Sequence, residues 1–260
     1  MAEQNKLSLF ITTPSIHGSF SMEYVTTVVS IINLAGKEGI PVQWYPLAGN
    51  SILPVARNRC IHNFMQSGFS HALLLDADVG LSPQDVIDCM KSGLKFTALP
   101  YCKRTFSTDK SVQNIVKYAD SGAMAFHAGM SPGAFKLSED QESTPKEIRE
   151  LGFAQADSTA TGAMIINRKV FLEFQKGHPD RRYKEHYGGP DEDVFEYFRY
   201  SRDREQYFVG EDWTFCKDWR ELGGKIWLKL DARTAHSTHF PMIWDGDLSI
   251  KMLNDGWTIE

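Results

Sequence analysis

Two carboxylates separated by one residue, Asp76 and Asp78, follow a short apolar run in the segment HALLLDADVG. Ala72 to Leu75 is continuously apolar, and Gly80 and Pro83 then break the pattern, so the triplet reads as the end of a buried strand. Residues two apart in a strand share a face, which lets both carboxylates address one ion. Hard oxygen ligands of this kind suit Mg²⁺ or Mn²⁺, ions that keep positions open for substrate phosphates. A nucleoside diphosphate is the expected ligand. An Asp-x-Asp triplet also fits a solvated turn or a helix cap, so the flanking residues matter. Ser82 as N-cap, Pro83 at the first helical position and Asp85 in the first turn start a helix after the triplet. The carboxylates then lie beyond the carboxyl end of a strand, where α/β proteins bind their ligands.

A second acidic pair, Glu211 and Asp212, opens the run GEDWTFCKDWRELGGKIWL. At a helix start such residues serve as caps worth about 0.5–2 kcal/mol. In a site, one of them can take the proton of an acceptor hydroxyl as a general base. Trp213, Phe215 and Trp219 then divide between core and a platform for a sugar ring. Near the C-terminus, His236 and His239 lie in AHSTHFPMIWDGDL. A histidine joined to a remote Asp-x-Asp completes the coordination of a borderline ion such as Mn²⁺, and His236 is the first choice. The Lys103-Arg104 pair is placed to neutralise phosphate, although a solvated basic turn has the same sequence.

The elements that must position these groups alternate along the first half, as in an α/β fold with a mainly parallel sheet. Leu7 to Thr13, Val42 to Leu47 and Phe96 to Pro100 read as strands, and Met22 to Ala35, Ile52 to Gln66 and Pro83 to about Ser92 as helices. No glycine-rich G-x-G-x-x-G opens a helix after the first strand, which removes support for a dinucleotide fold. Residues 103–160 are polar and irregular, and Ala163 to Asn167 reads as a buried strand behind a glycine turn at Gly162. From His178 to Gln206 the chain is charged and aromatic, either a solvated face or a lid hinged at Gly188, Gly189 and Pro190.

With 260 residues, 42% of them hydrophobic, the chain can bury a substantial core as one large domain. A net charge of −5 disfavours a broad nucleic-acid footprint. Cys60, Cys89, Cys102 and Cys216 have no paired spacing, so neither a zinc site nor a disulfide framework is expected. No apolar run approaches the roughly 18 residues that span a bilayer, and the N-terminus lacks the regions of a signal peptide. The expected place is the cytoplasm, that of the host if the chain is viral, with no stable membrane insertion.

The order of these parts resembles the GT-A class of nucleotide-sugar-dependent glycosyltransferases. PVARNRCIHNF with SHALLLDADVGLSPQDV is similar to an Ala-Arg-Asn helix leading to a DxD strand in bacterial, viral and fungal transferases. The run from Gly210 through His236 to Gly246-Asp247-Leu248 resembles the end of such enzymes, phage-encoded members included. The resemblance implies a single GT-A-type domain over 1–260, a Rossmann-like mixed sheet flanked by helices, with a nucleotide-binding half (about 1–105) and an acceptor-side half (about 106–260). It implies a metal, Mn²⁺ or Mg²⁺, on Asp76, Asp78 and His236. Donor contacts fall to Thr12, Thr13, Pro14, Arg57, Asn58, Asp76, Ala77, Asp78 and Lys103, acceptor contacts to Trp213, Gly162 and His239, and the base is Asp212 or Glu211. A UDP-sugar is the favoured donor and inversion the favoured course. The acceptor stays open among a glycan, a lipid-linked saccharide, a protein side chain and a modified DNA base. The alternatives are a nucleotide-sugar-binding protein without turnover, a donor hydrolase and a nucleotidyltransferase.

Overall fold

Alternation of side chains explains the centre of the molecule. In β1 (Leu9–Ser15), Leu9 and Ile11 join the core on one face of a sheet and Phe10 joins the core on the other. The computed structural model describes residues 6–104, 113, 116–118, 120, 133–185, 192–237 and 242–255. After β1 come α1 (Met22–Lys37), β2 (Val42–Ala48), α2 (Leu53–Ser67), β3 (His71–Leu75), β4 (Val79–Leu81), α3 (Pro83–Lys91) and β5 (Phe96–Ala98). They are followed by β6 (Phe135–Leu137), α4 (Lys146–Glu150), β7 (Phe153–Thr159), β8 (Ala163–Asn167), α5 (Arg168–Gly177), β9 (Arg182–Glu185) and β10 (Glu192–Phe195). The described order ends with β11 (Ser201–Arg202), β12 (Phe208–Val209), α6 (Glu211–Glu221), β13 (Ile226–Lys229), β14 (Arg233–His236), β15 (Met242–Asp245) and α7 (Gly246–Asn254).

Among the described residues, eight strands form one mixed sheet in the order β2-β1-β3-β8-β5-β13-β7-β6. β1 pairs in parallel with β2 and β3, and β13 with β5, while β8 runs antiparallel between β3 and β5 and β7 antiparallel to β13. Both faces are covered, which is why β3 and β8 read as unbroken apolar runs. Tyr24, Val28 and Ile31 of α1 and Val86 and Ile87 of α3 pack on one face. Phe64 of α2, Phe171 and Phe174 of α5, and Phe215 and Trp219 of α6 pack on the other, with Phe174 stacked on Phe215 at 5.0 Å. The chain is an α/β protein with a mixed sheet flanked by helices.

Local signals act as the residue types require. Ser21 and Ser82 cap α1 and α3 through their hydroxyls, and Gly68 ends α2 in the left-handed region at φ 78°. Where the pattern misled, tertiary contacts explain it. β7 lies inside the stretch read as irregular, because its partners β13 and β6 make a strand of a polar sequence. β4 was not foreseen either. It leaves the large sheet and joins a second, antiparallel sheet in the order β15-β14-β4. Its register sets His236 opposite Val79 and Ala235 opposite Gly80.

The charged stretch after α5 is anchored in its described parts. Asp218 of α6, 1% exposed, takes Arg181 at 2.5 Å and Arg199 at 3.1 Å, and Arg59 of α2 pairs with Glu185 of β9 and Glu192 of β10. The Gly188-Gly189-Pro190 hinge lies outside the described residues. Among the described residues no helix is long and apolar enough to cross a membrane.

Candidate functional site

The chain leaves the large sheet at Leu75, and Asp76 to Val79 form a turn closed by Val79 N–H on the Asp76 carbonyl at 3.2 Å. Asp76 and Asp78 therefore do not share a strand face, contrary to the sequence reading. Aspartates favour turns, and this chain must bend here to carry β4 into the small sheet. Three segments hold the turn. Asp76 N–H donates to Gly162 O at 3.2 Å, Ser21 N–H to Ala77 O at 2.9 Å, and Ser237 N–H to Asp78 O at 2.7 Å. Asp76, Ala77 and Asp78 line a cleft of about 670 Å³ with Pro14, Ser15, Arg57, Arg104 and His236. It opens beyond the carboxyl ends of β1 and β3, the position that the sequence reading gave to the ligand.

The β4–β14 pairing brings His236 to Asp78. His236 Nε2 stands 3.5 Å from Asp78 Oδ1, while its Nδ1 lies 2.8 Å from the Cys102 carbonyl. A carbonyl only accepts, so Nδ1 carries the proton and Nε2 presents its lone pair to the cleft. Burial pushes the imidazole pKa down and Arg104 adds to the effect, although the Cys102 carbonyl opposes them. The neutral tautomer with an outer N–H held by a carbonyl is the form in which histidines bind metals. Arg104 donates its Nε–H to that same Nε2 at 3.0 Å and pairs with the Asp78 carboxylate. Among the described residues, no three His, Cys, Asp or Glu side chains come together as a ready metal cage. Asp78 and His236 nevertheless fit a site of few protein ligands, the kind that takes its remaining ligands from phosphate and water.

Arg57 joins the two acidic constellations. Its guanidinium, buried in the cleft wall, donates to Asp76 Oδ1 at 3.1 Å and pairs with Glu211. Burial opposes its charge, but Asp76, Glu211 and Asp212 outweigh that and raise its pKa. Its Nε–H is buried with no partner among the described residues. Asp212 is different. It has no ion pair among the described residues and accepts only the Trp213 N–H, at 2.7 Å. Burial first, and Glu211 second, push its carboxyl up to about 6, against the pull of Arg57 and the Trp213 N–H. Glu211 is thus a strut for Arg57, and Asp212 is a half-buried carboxylate poised to exchange a proton near neutrality.

Gly162 lies against Asp76 and Tyr101. Its N–H donates to Tyr101 Oη at 3.0 Å, and a Cβ there would sit 2.6 Å from that oxygen and 2.9 Å from Asp76 Oδ2. The sequence reading assigns Gly162 to the acceptor, and in the structure it lies against Asp76 and Tyr101. Thr12 and Thr13 are fully buried behind the cleft, Thr13 bonded to Tyr24 at 2.7 Å, and Pro14 alone of the three lines it. Asn58 is consumed as a clamp. Its Oδ1 accepts Tyr197 N–H and Phe198 N–H at 3.0 and 2.7 Å, and its Nδ2 donates to Phe198 O at 2.9 Å. Arg104, rather than Lys103, lines the cleft. Trp213 is 40% exposed beside Asp212, and His239 lies outside the described residues. Sequence reasoning missed Tyr101, which packs edge-on against His236 at 5.1 Å, and the Cys102 carbonyl. The Lys103-Arg104 pair that follows them was the local sign of either.

No protein-family model matches the chain, and no curated protein matches it. Among solved structures it is similar to the crystal structure of A197 from STIV, with a TM-score of 0.46 and 12% identity over 89% of this chain and 86% of that one. It is also similar to a glycosyltransferase involved in the glycosylation of the major capsid of PBCV-1, with a TM-score of 0.31 and 13% identity over 65% of this chain and 64% of that one.

Proposed function

We propose that this protein is a divalent-cation-dependent glycosyltransferase that moves a sugar from a nucleoside diphosphate, uridine favoured, to a hydroxyl acceptor. The observation that carries the reading is the meeting of His236, on β14, with Asp78, on the turn at the carboxyl end of the sheet, 3.5 Å apart. Asp78 and His236 would hold Mn²⁺ or Mg²⁺, with Asp76 beside them, and the ion would supply Lewis-acid stabilisation of the leaving diphosphate.

The rest of the chemistry belongs to the chain. As the sugar–phosphate bond breaks, negative charge builds on the diphosphate, and Arg104 and Arg57 in the cleft wall stabilise it. Pro14 and the segment after it bound one side of the cleft and would receive the nucleoside. Arg57 keeps Asp76 and Glu211 at a fixed separation. Asp212, with its carboxyl near 6, takes the proton of the acceptor hydroxyl as that oxygen attacks, the role of the base in an inverting transfer. The exposed indole of Trp213 offers the acceptor an apolar face. A glycan, a protein side chain or a modified DNA base would each present a suitable hydroxyl.

Thermal unfolding against a panel of nucleoside diphosphates, with Mn²⁺, with Mg²⁺ and with chelator, tests the donor half of the reading. A stabilisation by one nucleotide that disappears with chelator is expected. Absence of any shift would remove the donor site. Product analysis with and without candidate acceptors then separates transfer from donor hydrolysis.

A further inference from the structure

Arg104 stands where a cation belongs. It follows Cys102 by two residues, so the segment whose carbonyl fixes the His236 tautomer also delivers the guanidinium. That guanidinium is paired with the Asp78 carboxylate, and its Nε–H donates to His236 Nε2 at 3.0 Å. These are the two acceptors assigned above to the divalent ion. The single lone pair of Nε2 serves one partner at a time, so Arg104 and an ion exclude each other there. The Arg104 side chain is 53% exposed at the edge of the cleft, and leaving Asp78 costs it little burial. A diphosphate in the same cleft offers oxygens that a planar guanidinium binds in bidentate fashion.

We propose that Arg104 is an exchangeable counter-ion: it occupies Asp78 and His236 while no divalent cation is bound, and passes to the donor's diphosphate when one enters. The proposal rests on the reading of Asp78 and His236 as the cation's ligands. Arg104 reduces the fraction of molecules competent to take the ion, and the apparent affinity falls by that fraction. A diphosphate that captures Arg104 lifts the penalty, so ion and nucleotide each strengthen the other's binding by the same factor. The site then discriminates against an ion that arrives without its donor.

The test uses the full chain, Mn²⁺ alone followed by electron paramagnetic resonance of the unbound ion, and UDP followed calorimetrically at saturating Mn²⁺. Arg104→Gln is expected to bind Mn²⁺ alone about tenfold more tightly than wild type, and UDP with Mn²⁺ about tenfold more weakly. Opposite changes are the signature of exchange, since a residue that merely braces the cleft would weaken both. Equal or weaker Mn²⁺ binding by Arg104→Gln, with Asp78→Asn still abolishing it, overturns the exchange and leaves the cation site standing. If neither wild type nor Arg104→Gln binds Mn²⁺, the cation reading falls, and the exchange with it.

Discussion

Asp212 and Glu211 are neighbours in sequence and opposites in environment. Glu211 is tied to Arg57, whereas Asp212 carries a carboxyl raised to about 6 from the ordinary value of 3.8. The folded protein therefore holds this proton more tightly than the unfolded chain does. The cost of ionising Asp212 is absent below about pH 4 and fully present above about pH 6. Two outcomes follow from one substitution. Asp212→Asn should lower transfer by about 10²-fold or more while leaving donor affinity nearly unchanged, as steady-state kinetics and calorimetry would measure. At pH 7 it should also raise the stability to urea by about 1–2 kcal/mol, a gain that vanishes near pH 4. In the wild type, kcat/KM should fall about tenfold per unit as pH drops below about 6, where the base is protonated. A flat profile, or full activity in the variant, would make Asp212 a helix cap.

Elements, more than residues, decide whether the site exists. The turn from Asp76 to Val79 is held by backbone bonds from the segments before α1, before β8 and after β14. Gly162→Ala tests one of these supports. Its Cβ would press on Tyr101 Oη and Asp76 Oδ2, and donor affinity should fall about tenfold with a stability loss of about 1–2 kcal/mol. Undiminished affinity would show that the turn yields at little cost. Asn58 sustains a different element, the backbone at 197–198. Asn58→Ala takes the side-chain partner from the Phe198 N–H and carbonyl and leaves the Tyr197 N–H on the Phe195 carbonyl alone, and should cost about 2–3 kcal/mol in denaturant titration, with donor binding retained at low temperature. Much of this architecture was legible beforehand. Helices α1 to α3 and strands β1 to β3 carry caps, glycines and apolar periods that agree with their final state, and the acidic start of α6 and His236 are visible as motifs. The placement of Asp76 and Asp78 on a turn was not legible, because it depends on β4 pairing with β14 across more than half the chain. Nor was the role of Asn58, since the backbone it clamps lies 139 and 140 residues away.

At the scale of the molecule, the two halves expected from the sequence share one sheet. β8 is inserted between β3 and β5, and β13 between β5 and β7. A fragment of residues 1–105 would leave β3 and β5 without the strand that separates them and would strip the aromatic face of α5 and α6. It should fail to unfold cooperatively, and a sharp calorimetric transition for it would contradict this. The same construction buries all four cysteines. Cys60, Cys89 and Cys216 have their thiols pushed up to about 12 by burial. In the native state they are slow targets for a maleimide, which needs a thiolate it can reach. The rate at which the chain consumes such a reagent therefore measures how often the core opens. Against that quiet background, a single cysteine introduced at Ser19, on the cleft wall, would accept a fluorophore and report ligand arrival directly.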